Sequence, residues 1–135
     1  MTFMQWTAEL ELGAGEIDGQ HRWLVDQTNA LHDELSGPAP RREVIGELLE
    51  GLADYTQNHF IAEEVLFERH RYPETAAHKA QHDAFTTRVI KLLMRFEQGE
   101  TVDTEVLDLL RDWLTNHICK VDRAYVDYLR AHGAF

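Results

Sequence analysis

Cysteine is nearly absent. Cys119 is the only one in 135 residues, so no internal disulfide can form and no cysteine-based zinc site is available. Basic residues are scarce as well: 13 Lys and Arg stand against 24 Asp and Glu, a formal net charge of −11. A surface of that sign repels phosphate, so neither nucleic acid nor an anionic membrane is an expected partner. No stretch approaches the roughly 18 apolar residues that would span a bilayer. The first residues, Met1-Thr2-Phe3-Met4-Gln5-Trp6, lack the basic and then apolar pattern of a signal peptide. These absences lead to the expectation of a cytoplasmic protein without membrane insertion.

The three prolines, Pro38, Pro40 and Pro73, fall only at interruptions. Ser36 to Pro40, Tyr72-Pro73 and Gly99 to Asp103 divide the chain, and β-branched alternation is almost missing between them. With 44% hydrophobic and 27% charged residues, the composition is that of one globular domain spanning 1–135. The spacing predicts helices over about Asp18 to Leu35, Arg42 to His70, Thr75 to Gln98 and Thr104 to Arg130. Asp18 and Thr104 are expected as N-caps and Gly99 as the residue just past a helix end. Short loops favour an all-α, antiparallel up-down-up-down four-helix bundle over residues 17–135. Residues 1–16 show no period and are expected to form an N-terminal arm, with Trp6 as its anchor.

The chain has eight histidines, and five of them sit where the periodicity puts the core. The stripes run Ile17, His21, Leu24, Thr28, Leu31, Leu35 in the first helix and Ile45, Leu48, Leu52, Tyr55, His59, Glu63, Leu66 in the second. They continue as His78, His82, Phe85, Val89, Leu92, Phe96 and finally Val106, Leu110, Trp113, His117, Ala124, Tyr128. A buried carboxylate is costly unless it is paired or bound to metal. In an antiparallel bundle, the starts of the first and third helices lie beside the ends of the second and fourth. At 1.5 Å per residue, His21, His59, Glu63, His78, His82, His117 and Asp122 then fall in one band and can converge. His59 and Glu63 share a helix face at i, i+4, as do His78 and His82. His117 and Asp122 are five apart, about 140° around a regular helix. Either they reach around opposite sides of a metal pair, or a π-type turn brings them into line.

Imidazole suits Zn, Cu, Fe and Ni, but seven mixed ligands exceed any single ion and any closed tetrahedral zinc site. Two octahedral ions offer twelve positions. Five imidazoles, two bridging carboxylates and a bridging oxide or hydroxide fill eleven, leaving one for an exogenous small ligand.

These residues resemble the hemerythrins, most closely their bacterial single-domain forms. The resemblance is carried by Ile17-Asp18-Gly19-Gln20-His21, by His59-Phe60-Ile61-Ala62-Glu63-Glu64, by Tyr72-Pro73 leading to His78-x3-His82-x2-Phe85, and by Trp113-Leu114-x2-His117-Ile118-x3-Asp122. It spans nearly the whole chain. Phe67 departs from it, standing where such proteins often carry Met, and is expected to alter packing and not ligation; Cys119 has no reading. The resemblance implies two iron ions bridged by Glu63, Asp122 and an oxo or hydroxo group. It implies reversible O2 binding for carriage, storage, delivery or sensing, with azide and chloride as surrogate ligands. Five imidazoles divide three and two: His78 and His82 chelate one iron, to which the resemblance adds His117. The iron of His21 and His59 is then the open one. Leu24, Phe60, Trp113 and Ile118 are core residues first and lining of an O2 pocket second.

His32, His70 and His132 are expected to be surface or helix-end residues. The alternative functions are a di-iron enzyme, such as an oxidase or peroxidase, and an O2 or redox sensor domain. Ferritin-like enzymes use four Glu and two Glu-x-x-His units; a histidine-rich site carries less negative charge and supports high-valent iron less, so the expectation is no enzyme. An N-terminal Met and a separate arm favour a stand-alone protein, expected as a monomer with at most weak association.

Overall fold

The computed structural model of the chain describes residues 3–13, 15–100 and 104–133. The elements are α1 (Gly15–Ser36), α2 (Arg42–His70), α3 (Thr75–Glu97), α4 (Thr104–Asn116), a π-helical turn (His117–Asp122) and α5 (Arg123–Ala131). The last three run on as one fourth helix, so the architecture is a four-helix bundle with no strand among the described residues. α2 packs between α1 and α3, and α4 closes against α1.

The helix ends follow from local chemistry. α2 stops at Arg71, which adopts the left-handed conformation (φ 53°, ψ 47°), and the Tyr72 N–H then donates back to the Phe67 carbonyl at 2.9 Å. The Tyr128 hydroxyl donates to the exposed carbonyls of His70 and Arg71 at 3.1 and 3.2 Å, and Pro73 forbids continuation. Gly99 closes α3 at φ 97°, the expected role. Thr104 is the first residue of α4 and not its cap; the residue before it lies outside the described residues.

Two expectations need correction at the N-terminus. α1 begins at Gly15, ahead of the expected Asp18 and of the 16/17 boundary. Asp18 lies in its first turn, and its carboxylate accepts the backbone N–H of Leu12 at 2.8 Å and of Gly13 at 3.0 Å. The capping chemistry is present, but it ties down the arm. Trp6 is only half-buried, with its indole N–H on Glu11 at 3.1 Å. The arm is held instead by buried Met4, Leu10 and Leu12 and by Asn29, which bonds both the N–H and the carbonyl of Met4 at 2.7 Å. The Arg123 guanidinium donates to the Glu9 carbonyl at 2.6 Å and Arg130 to the Leu12 carbonyl at 2.7 Å. Gly13 is required at this crossing by its φ of 80°, a left-handed conformation that other residues rarely adopt, and a Cβ there would also displace the Arg130 guanidinium, 2.8 Å away.

The fourth stripe also needs correction. Val106 and Leu110 are buried as expected, but Ala124 is exposed. After the π turn the buried face is Asp122, Tyr125, Val126 and Leu129. A π turn spends more residues per turn than an α-helix, so every later side chain is rotated relative to a 3.6-residue projection.

Candidate metal centre

His21 is buried on α1, His59 and Glu63 on α2, His78 and His82 on α3, and His117 and Asp122 at the two ends of the π turn. The turn resolves the spacing problem: the Arg123 N–H reaches back to the Ile118 carbonyl, an i→i+5 bond, and residues five apart come to share a face. All seven side chains are only 1–3% exposed.

Their polar atoms converge. Asp122 Oδ2 lies 3.1 Å from His21 Nε2, while Oδ1 lies 3.0 Å from His78 Nε2 and 3.0 Å from His117 Nε2. Glu63 Oε1 lies 3.1 Å from His59 Nε2 and 3.4 Å from His82 Nε2. The atoms fall into two overlapping sets able to hold a metal ion. One comprises Glu63, His78, His82, His117 and Asp122; the other comprises His21, His59, Glu63 and Asp122. Each carboxylate therefore belongs to both sets.

The residues fit a pair of cations on a direct test. Both oxygens of Glu63, both of Asp122 and Nε2 of His82 are buried and make no hydrogen bond, although buried polar groups are almost always bonded. His21 Nε2 faces His59 Nε2 at 3.1 Å, and His78 Nε2 faces His117 Nε2 at 3.0 Å. Nitrogens so close, aimed inward around carboxylate oxygens, suit a shared metal better than each other.

The electrostatics agree. Burial and the Asp122 charge push the Glu63 carboxyl up, but His59 and His82 outweigh them and hold it down to about 2. Burial likewise opposes ionisation of Asp122, yet His117, His21 and His78 keep it well below the usual carboxylate range. Burial lowers His59 but Glu63 beside it raises it above the ordinary imidazole value, whereas burial prevails at His117 and lowers it. Two carboxylates stay ionised in the core, and the site is built around that charge.

Two of the five outward nitrogens have hydrogen-bond partners, while Nδ1 of His21, His78 and His82 is buried without one. His59 Nδ1–H donates to the Gln20 amide oxygen, and His117 Nδ1–H to that of Gln81 at 3.2 Å. Such bonds fix the tautomer that leaves Nε2 free to ligate. Aromatic rings fix the planes: Phe60 stacks on His82 at 3.7 Å and Trp113 on His117 at 4.2 Å. Phe67, wholly buried, packs on His78 at 4.6 Å and on Tyr125 at 4.8 Å.

Sequence reasoning missed Gln20, Gln81 and Tyr125. Tyr125 is fully buried with its hydroxyl unbonded. Burial and the Glu63 and Asp122 charges push its phenol well above the usual value. Its spacing from Asp122 would have flagged it had the π turn been placed first. Of the expected pocket residues, Leu24, Phe60 and Ile118 are buried and Trp113 half-buried. A cavity of about 490 Å³ between α1 and α2 reaches Glu63, but Ile17, Gln20, Ala62 and Leu66 line it and those four do not. His32 is half-buried, stacked on Phe3 at 4.7 Å instead of lying free in solvent, and His132 is exposed on Tyr128.

A four-helix bundle enclosing two histidine-rich ligand sets with shared carboxylates defines a class of dinuclear metal-binding proteins. The chain belongs to the hemerythrin family: the model of the hemerythrin HHE cation binding domain matches residues 12–129. The bacteriohemerythrin of Stenotrophomonas maltophilia (strain R551-3) is 39% identical over 132 residues, 98% of this chain and 85% of that protein. The bacteriohemerythrin of Methylococcus capsulatus (Bath) is 39% identical over 133 residues, 97% of this chain and all of that protein. A wild-type hemerythrin crystal structure superposes with a TM-score of 0.86 at 38% identity, covering 93% of this chain and 96% of that one. A hemerythrin mutant structure reaches 0.88 at the same identity, covering 94% and 97%.

Proposed function

We propose that this hemerythrin binds O2 reversibly at a non-heme di-iron centre and acts in O2 carriage, storage, delivery or sensing, not as an enzyme. The observation that carries the reading is the pair of ligand sets sharing Glu63 and Asp122, one with three imidazoles and the other with two. His78, His82 and His117 would hold one iron and His21 and His59 the other, with Glu63 and Asp122, common to both sets, shared between them.

When bound, the iron pair supplies the O2-binding position and the electrons exchanged with O2. The chain does the rest. Glu63 and Asp122 offset the positive charge of the pair. Gln20 and Gln81 hold the proton on Nδ1 so that Nε2 faces inward, and Phe60, Phe67 and Tyr125 keep bulk water from the ligands. One set offers three imidazoles and the other only two, so the second metal would keep a position free. The small ligand would therefore be taken on the His21/His59 side. No helix is long and apolar enough to cross a membrane among the described residues, and the proposal is completed by a cytoplasmic, monomeric single domain of residues 1–135 with an N-terminal arm.

The test is an optical spectrum of the reduced and then oxygenated protein with iron counted per chain. Two irons and a band that appears with O2 and vanishes on its removal are expected. Turnover of a reductant at the rate of O2 uptake would favour an oxidase or peroxidase instead. In a crystal of the azide adduct, azide on the iron held by His78, His82 and His117 would overturn the assignment.

A further inference from the structure

The outward nitrogens of the imidazoles are not served alike. Those of His59 and His117 meet neutral amides, Gln20 and Gln81. Nδ1 of His82 is buried without a hydrogen bond and faces a charged group, Oε2 of Glu64, at 3.5 Å. Stacking of Phe60 on His82, at 3.7 Å with ring planes 4° apart, fixes the ring so that one edge turns to the cluster and the other to Glu64. Glu64 follows Glu63 on α2 and is 20% exposed at its side chain, and its other oxygen lies 3.8 Å from the Lys79 ammonium, which also approaches Glu68 at 3.9 Å. A chain of charge thus runs from surface Lys79 through Glu64 to His82 and the three-imidazole set.

We infer that Glu64 is a positioning residue for this centre. It accepts the His82 Nδ1–H, makes Nε2 a stronger donor and so tightens the three-imidazole position, while Lys79 moderates the effect by drawing on the same carboxylate. A carboxylate behind a ligating histidine raises its basicity in just this way. The small distance to be closed, from 3.5 Å to hydrogen-bond length, needs only a side-chain adjustment of a partly exposed residue. The inference rests on the di-iron reading, and it adds that the two metal positions differ in charge as well as in ligand number.

The two variants E64Q and K79M test it in the iron-loaded protein, because their effects must have opposite signs. E64Q keeps the shape and removes the charge; iron(II) retention against a competing chelator should weaken about tenfold, and the diferric/diferrous midpoint potential should rise. K79M leaves Glu64 to His82 alone; retention should tighten by a few-fold and the potential should fall. A purely structural salt bridge would move both variants in one direction. Iron loading at two per chain with shifts of the same sign, or with no shift in either, would overturn the inference and leave the di-iron reading standing. Wild-type protein that loads fewer than two irons would overturn both.

Discussion

In α2, His59 and Glu63 are four residues apart and an ordinary helix lays them on one face. In the fourth helix, His117 and Asp122 are five apart, and the backbone widens into a π turn to bring them to the same place. Both pairs deliver one imidazole and one carboxylate, and both carboxylates serve both ligand sets. The difference shows two ways to aim a ligand: by spacing alone, or by local backbone geometry that the site and its surroundings must maintain. The second way has a wider effect, because the turn also resets the face presented by everything after it.

The largest effect should come from removing the carboxylate that the π turn positions. Asp122→Ala strips one bridge from both sets, so iron should fall from two per chain to one or none, read by metal analysis. Glu63→Ala should do the same from the regular helix. If only Glu63→Ala lost iron, the two regions would not be equivalent after all.

Metal removal should then separate the two regions. At pH 7 the apo protein keeps two buried carboxylates without their cations, and its melting temperature should drop by about 10 °C, taking a ligand at a hundredfold excess over its dissociation constant. Hydrogen exchange should accelerate more over residues 117–122 than over 59–63. The gap should narrow as pH falls through the histidine range. Protons displace metal from the loaded form, while in the apo form imidazolium stands in for the cations. The depressed carboxyls Glu63 and Asp122 contribute stability above their unfolded pKa and lose it only on further acidification, which for Glu63 ends near its folded value of about 2. An apo protein as stable as the loaded one at pH 7 would contradict this.

A smaller and more local test addresses the shifted register. Leu129→Ala, at a side chain with no exposure, should cost about 2–5 kcal/mol in denaturant unfolding. Ala124→Lys should stay within about 0.5 kcal/mol; a cost matching that of Leu129→Ala would mean that the α-helical projection applies after all.

These outcomes bear on what the residue order reveals. The four helices and the meeting of His21, His59, Glu63, His78, His82, His117 and Asp122 were legible because burial and ligation follow one period, so the polar intruders on apolar stripes stood out. The five-residue step from His117 to Asp122 signals an irregularity, but a single 3.6-residue period run through it puts Ala124 on the buried face in place of Tyr125. Met4, Leu10 and Leu12 bury themselves without any period, and Asp18 has the right chemistry for a cap while serving the arm. Gln20, Gln81 and Glu64 act across helices; Gln20 and Glu64 stand beside ligands in the motifs, but a contact to a ring on another helix leaves no mark in the residue order.

The clamp on the arm has a consequence for how the molecule is made. Arg123 grips the Glu9 and Glu11 carbonyls, and Arg130 grips that of Leu12, contacts that join residues 112 to 118 positions apart. Segments so distant must pay loop closure before they gain anything from meeting. During synthesis these two arginine contacts therefore form late, long after Asp18 and Asn29 are available to Leu12, Gly13 and Met4. Arg123 directly follows Asp122, so the contact that fastens the arm also fastens the end of the turn that seats this ligand.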